Sequence, residues 1–252
     1  MVEEWRVATL AEKIPPQALK LDPQAIGRII ARRAKGLKVE WEYSLTGQWL
    51  QIRAKGDDSD AFINLLKQEQ GEAPVSRSIP EKWDIFRGFI AGAGRIGYGV
   101  YVDIGIQDPS PKDALYPLHR MRAQLADGEA KSARQILDMN ALVDYVPVTM
   151  NVIELEDEKI SAEMEDKTRD RIVSWRKYPF DRVVVVGADR VRAESVVRAS
   201  GLQNDIVEVE SLSLFVQSLV CKIGTDAPGV IAKIGNRLRG VNLKSFLTPT
   251  HL

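Results

Sequence analysis

Three glycines, Gly92, Gly94 and Gly97, stand at the G-x-G-x-x-G spacing that lets a backbone approach a pyrophosphate at the start of a helix. That chemistry needs a helix to come next. Here Val100, Val102 and Ile104 instead alternate with Gly99, Tyr101, Asp103 and Gly105, a period of two that predicts a half-buried strand. The glycines therefore read as a tight link between two neighbouring strands, where sharp bends and positive φ are needed. Tyr101 then points away from the valines. If Val100 and Val102 fill a barrel, Tyr101 lies outside and Tyr98 sits at the loop just before it. There the two rings either stack on bases or pack partly against the 107–113 loop or a neighbouring domain.

The other residues capable of chemistry are few. His119 and His251 are the only histidines and Cys221 the only cysteine, so neither a His/Cys zinc site nor an intrachain disulfide can be assembled. No carboxylates have calcium-loop spacing. The expectation is a protein with no metal and no cofactor, in a reducing, cytoplasmic setting. His119 has no Ser or Cys nucleophile paired with it by motif and reads as a surface or capping residue. Glu154, Glu156, Asp157 and Glu158 gather around one hairpin turn, which is a solvated loop rather than an acid/base pair. The chain opens without a basic region leading into an apolar run, and no stretch has the apolar length of a bilayer span.

Lys plus Arg and Asp plus Glu each number 35, so the whole chain gives no electrostatic footprint for nucleic acid. The distribution is uneven. Residues 80–165 hold 9 basic and 15 acidic residues, whereas 166–252 hold 14 basic and 9 acidic. Phosphate neutralisation supplies most non-specific affinity, so the acidic centre weighs against strong RNA binding there. Arg190, Arg192, Lys233 and Arg237, with Arg239, lie in the basic third and are the better candidates for phosphate contacts. Arg32, Arg33, Lys35 and Lys38 form the densest basic patch near the N-terminus, where Arg32 and Arg33 also read as the solvated face of a helix packed through Ile26, Ile29 and Ile30.

The elements that must hold these residues fall into three groups, 1–79, 80–165 and 166–252. In the first, Glu4–Leu10 reads as a strand and Asp22-Pro23 as a helix start, with Gly36 as its stop. Strands come next at 37–43 and 48–53 around a Leu45-Thr46-Gly47 turn. A second helix after Asp57-Asp58-Ser59 buries Phe62, Leu65 and Leu66. Residues 74–79 supply either a closing strand or a linker. This β-α-β-β-α order is most of a ferredoxin-like unit. The last group repeats the grammar in full: strand 182–187, helix 188–200, strands 205–210 and 215–223, helix 228–238 and strand 241–246, preceded by a charged helical connector at 166–177. Two helices on one face of its sheet would leave the other face free for RNA or a partner.

In the centre, Tyr98-Gly99-Val100-Tyr101-Val102-Asp103-Ile104-Gly105 resembles the second strand of S1-type RNA-binding barrels, a variant of the OB-fold. Ala114-Leu115-Tyr116-Pro117-Leu118-His119 resembles the end of their third strand, with Pro117 at the usual His and His119 at the usual Ser. A helical stretch at 132–142, a strand at 147–155, a charged turn and a strand at 159–164 complete the S1-like order. The resemblance implies a closed five-stranded barrel that stacks single-stranded RNA on Tyr98 and Tyr101, with Arg95, His119 and Arg120 near the same strand. Thr225-Asp226-Ala227-Pro228-Gly229 resembles the strand-to-helix turn of amino-acid-binding ACT domains, although Asp226 before Pro228 is also an ordinary helix cap. The whole chain is similar to an archaeal family known as a domain of unknown function, number 2110.

The fold expected is thus α+β, an S1-like OB barrel between two ferredoxin-like domains. The function expected is a non-enzymatic RNA-binding protein of translation, transcription or RNA processing. Two rivals stand beside it: a scaffold whose acidic barrel takes a basic partner such as a ribosomal or polymerase protein, and an ACT-like small-molecule regulator.

Overall fold

Alternating and helical periods in the first 70 residues resolve into β1 (Arg6–Lys13), α1 (Pro16–Leu21), α2 (Ala25–Ala34), β2 (Glu40–Thr46), β3 (Trp49–Lys55) and α3 (Ser59–Gln70). The structure, a computed structural model, describes residues 4–74, 80–107, 110–156 and 159–248. The strands form an antiparallel sheet ordered β1-β3-β2. Gly47 and Gln48, at φ 57° and 74°, make the left-handed pair that closes a two-residue hairpin between β2 and β3. Ile26 and Ile30 of α2 and Phe62, Ile63 and Leu66 of α3 supply the buried stripes. Leu65, expected inside, is exposed, and Ile63 takes its place. The short α1, begun by two prolines, has no hydrophobic period of its own by which the sequence could announce it. After α3 the chain returns beside β1: Glu72 bridges Leu10, and the Ala73 N–H donates to the Thr9 carbonyl at 2.9 Å. A fourth strand position is thus occupied before residues 75–79, which lie outside the described residues together with 157–158 of the charged turn and His251.

The centre contains β4 (Ile85–Ala91), β5 (Gly99–Ile106), β6 (Lys112–Pro117), α4 (Leu118–Leu125), α5 (Ala133–Met139), β7 (Pro147–Glu156) and β8 (Lys159–Met164). The strands close into a barrel in the order β4-β5-β6-β8-β7. Neighbours are antiparallel except β6 and β8, which are parallel. Gly92 and Gly94 take φ 64° and 74° in the β4–β5 turn, which leads into a strand and not a helix. Val100, Val102 and Ile104 have no exposed surface, so the alternating pattern faces inward as expected. Within the stretch expected to be helical, α5 is opened by a capping box between Ser132 and Gln135. The other helix, α4, begins directly after β6, where the strand resemblance concealed it.

The last part runs α6 (Asp166–Trp175), β9 (Arg182–Val186), α7 (Arg190–Ala199), β10 (Ile206–Ser213), β11 (Val216–Cys221), α8 (Ala227–Ile234) and β12 (Asn242–Phe246). Its antiparallel sheet is ordered β10-β11-β9-β12. Asp189 caps α7 by accepting the Arg192 N–H at 2.7 Å, and Asp226 caps α8 by accepting that of Gly229 at 2.6 Å. No helix among the described residues is long and apolar enough to cross a membrane.

Alternation along β9 decides how this sheet meets the rest. Val183 and Val185 pack under α7 and α8, while Val184 and Val186 join the barrel's core cluster with Leu212, Val216 and Phe246. The face expected to be free is therefore covered. It is sealed by α6, whose Ile172 and Trp175 are buried; Trp175 meets Phe246 edge-on at 5.7 Å and carries the Arg182 guanidinium over its ring at 4.6 Å. The charged connector of the sequence is thus a wedge. The β10–β11 turn reaches the other way: Phe215, fully buried, belongs to the core of the N-terminal sheet with Leu10, Ile30, Leu50 and Phe62.

Phe215→Ala should cost about 3–5 kcal/mol by leaving a cavity in a core that its own sheet does not supply. Urea unfolding followed by tryptophan fluorescence and by circular dichroism checks this. A loss under about 1 kcal/mol would show that the N-terminal core does not depend on the C-terminal turn.

Candidate functional site

The outer surface of β5 is arranged in rows by strand register. Ala91, Tyr101 and Leu115 are direct partners across β4, β5 and β6, and Ser161 of β8 pairs with Leu115. Two residues along, Phe89, Asp103 and Asp113 form the next row on the same surface. These rows meet different neighbours. Phe89 packs edge-on against Trp49, with ring centroids 5.4 Å apart. Asp103 accepts the Trp49 indole N–H at 3.2 Å and the Gly105 N–H at 2.9 Å, and it pairs with Lys13. Gly105 sits at φ 87°, and a Cβ there would lie 3.2 Å from both the Trp49 ring and Ala73, so only glycine suits this contact. The N-terminal sheet thereby closes one end of the surface.

The Tyr101 end stays open. Tyr98 and Tyr101 are 57% and 36% exposed, and their hydroxyls lie 3.2 Å apart. That hydrogen bond pushes the Tyr101 phenol above its ordinary value of 10. Arg95 is exposed in the β4–β5 loop and folds over Gly92, where a Cβ would come within 3.1 Å of its side chain. Arg134 of α5 lies against Gly94 of the same loop. The Leu118 N–H donates to the Tyr98 carbonyl at 2.8 Å, which sets the exposed His119 next along the chain from this contact. Arg120 is half-buried and committed to an ion pair with Glu163.

On the far side of Tyr101 a cavity of about 430 Å³ is lined by Asp113, Glu154 and Glu156 against Lys112 and Lys159. Asp113 is open to solvent at its edge, yet partial desolvation of its carboxyl raises its pKa, the Asp103 charge adding to the rise and Lys13 opposing it. The open surface is therefore two-sided in charge, cationic at the β4–β5 loop and carboxylate-rich toward β7.

The remaining candidates lie apart. Arg192, Lys233 and Arg237 are exposed on α7, on α8 and just after α8, and Arg190 is exposed at the start of α7, where it lines a cavity together with Arg87 of β4. Arg190 Nε donates to Glu194 at 2.8 Å, Arg192 donates to the Arg237 carbonyl at 3.2 Å, and Lys233 stands 4.0 Å from Asp205. Cys221 is buried, and desolvation pushes its thiol up to about 12, so it is inert as a nucleophile at neutral pH.

The three sheets meet at a polar contact that no motif announced. Glu12 of β1 is completely buried; Arg87 Nη2 of β4 lies 2.7 Å from its Oε1, and the Leu214 N–H of the β10–β11 turn donates to Oε2 at 3.1 Å. Arg87 also donates to the Leu212 carbonyl at 3.1 Å and the Gln70 carbonyl at 3.3 Å. Burial raises the Glu12 carboxyl to about 7, against the pull of Arg87, the Leu214 N–H and Arg33.

Comparison with protein families matches residues 80–176 to the DUF2110 central domain and residues 180–244 to the DUF2110 C-terminal domain, which together span more than half of the chain. The chain belongs to the DUF2110 family. The central DUF2110 match takes in the whole barrel and α6, and the C-terminal match takes in β9 through most of β12. A search of curated proteins gave no match.

Sequence reasoning placed Tyr98 and Tyr101 on the outside of the barrel, where they are exposed, but passed over Lys13, Trp49 and Asp103, and likewise Glu12 and Arg87. The one available signal was the charged pair Glu12-Lys13 itself, set between the apolar residues Leu10, Ala11 and Ile14.

The raised Glu12 pKa has a definite sign in stability. Between its ordinary 4.5 and about 7 the folded protein holds a proton that the unfolded chain releases. The stabilisation is full below pH 4.5 and is lost as pH rises through 7, about 3 kcal/mol in all. Glu12→Gln removes this dependence, so urea unfolding at pH 5 and pH 8 should show the wild type losing ground to the variant at the higher pH. A wild-type-minus-variant difference that is flat with pH would falsify the assignment.

Proposed function

We propose that this protein is a non-enzymatic, single-stranded RNA-binding protein that reads RNA on the open end of the barrel, with Tyr98 and Tyr101 as stacking platforms. The reading rests on the exposed pair of Tyr101 on β5 and Tyr98 just before it, beside a cationic loop. It is supported by the strand order: with β4 to β8 numbered one to five, the barrel runs 1-2-3-5-4, its third and fifth strands are parallel, and its helices fall between the third and fourth. Those are features of the OB-fold, whose second and third strands commonly carry the ligand face. In the same way the orders β10-β11-β9-β12 and β1-β3-β2 support ferredoxin-like units around it, the second with only the start of its last strand beside β1. Arg95 and His119 of the open end, together with Arg134, would supply phosphate contacts. Arg120 would do so only by leaving Glu163.

A second reading, an acidic docking surface for a basic protein, is favoured by the carboxylates Asp113, Glu154 and Glu156 on the far side of Tyr101. Salt dependence and the tyrosines separate the two.

Stacking a base on one aromatic ring contributes about 1–3 kcal/mol, so Tyr101→Ala should weaken binding of a fluorescent single-stranded RNA roughly ten-fold or more. Fluorescence anisotropy across a salt series is the measurement, with thermal unfolding as a control for the half-exposed position. Arg95→Ala should reduce the salt slope by about one. Unchanged affinity in both variants would remove the barrel as the reader.

A further inference from the structure

Above the buried Glu12–Arg87 pair, a cavity of about 400 Å³ opens between all three sheets, within the range of small-ligand sites, which favour such junctions. Four arginines line it: Arg32 and Arg33 from α2, Arg87 from β4, and Arg190 at the start of α7. They face two carboxylates, Glu69 and Asp189, and both are engaged. Glu69 holds Arg33 Nε at 2.5 Å, and Asp189 holds the Arg192 N–H as the α7 cap. The cations are less fully used. Arg32 has no ion pair or hydrogen bond among the described residues, and Arg190 is held only by Glu194 of its own helix. In the cavity wall Ser213 is 6% exposed, and its hydroxyl has no hydrogen-bond partner among the described residues.

We propose that this junction binds a phosphate monoester. The anion carries close to two negative charges at neutral pH and three acceptor oxygens, which matches forked guanidinium donors better than a single carboxylate does. Arg32, Arg33 and Arg190 hold the phosphate, and Ile29, Val191 and Leu212 offer apolar wall to the organic part. The ligand bridges α2, α7 and the β10–β11 turn, so its binding ties the N-terminal sheet to the C-terminal one. The site is separate from the tyrosine surface of the barrel, and it gives Arg190 a role different from the RNA contact expected from sequence.

The test is thermal unfolding at matched ionic strength with inorganic phosphate, a nucleoside 5′-monophosphate, the parent nucleoside, and a short RNA with and without a 5′-phosphate. The monophosphate should raise Tm by several degrees at saturating concentration while the nucleoside does nothing. A shift with the free monophosphate identifies a small-molecule ligand, and one seen only with 5′-phosphorylated RNA identifies an RNA end. Arg32→Gln, at an exposed position, should weaken apparent affinity about ten-fold, and Arg32→Gln/Arg190→Gln should abolish the shift. With the free monophosphate as the probe, Tyr101→Ala should leave the shift intact, which keeps this site distinct from the barrel surface. The proposal is overturned if no phosphate-bearing probe shifts Tm beyond sodium chloride, or if the double variant keeps the full shift.

Discussion

A carboxylate without solvent contact has to be answered by the chain around it, and Glu12 is answered by both other parts of the molecule. Taking a charge out of water costs several kcal/mol unless it is paired and hydrogen-bonded, so this contact tolerates little error in position. It fixes where β4 crosses β1 and where the β10–β11 turn comes to rest. The apolar contacts nearby keep to the same frame: Phe215 enters the N-terminal core, and Phe89 meets Trp49. Non-directional burial holds the sheets together, and the Glu12 and Asp103 contacts set their register.

That division explains what could be read from the sequence. Val100, Val102 and Ile104 announced an inward-facing strand because strand periodicity is local, and Gly92 and Gly94 announced a turn because their spacing preceded that strand. The βαββαβ grammar of the last third was legible for the same reason, with the cap at Asp226 marking the start of its second helix. The hidden contacts depend on residues far apart in the chain. Lys13 and Asp103 are 90 positions apart, and Glu12 and Leu214 are 202 apart. No periodicity in either segment records its partner. The covered face of the C-terminal sheet was missed because Val184 and Val186 look the same in sequence whether they face solvent, RNA or another sheet, and Trp175 lay in a segment whose charge disguised it.

The barrel shows how docking reshapes a binding surface. Its β4–β5 exterior would be one continuous strip, but Trp49 and Lys13 consume the Phe89 and Asp103 row and leave only the Tyr101 row and the loop beyond it. Sequestering Asp103 also removes one carboxylate from the surface that remains, so the acidic composition of residues 80–165 overstates the charge met by a ligand near Tyr98. Charge counted along a chain and charge presented at a site are different quantities once neighbouring units are packed on it.

Phe215 carries a consequence for the order in which the molecule comes into being. A ribosome delivers the N-terminal residues first, and domains ordinarily fold as they emerge. Here the first sheet leaves the tunnel without one member of its core, the core it shares with Leu10, Ile30, Leu50 and Phe62, because Phe215 is made some 145 residues after α3 ends. Until then that apolar core stays incomplete. Vectorial synthesis therefore produces a waiting half-fold, and completion of the oldest part of the chain is timed by one of its youngest turns.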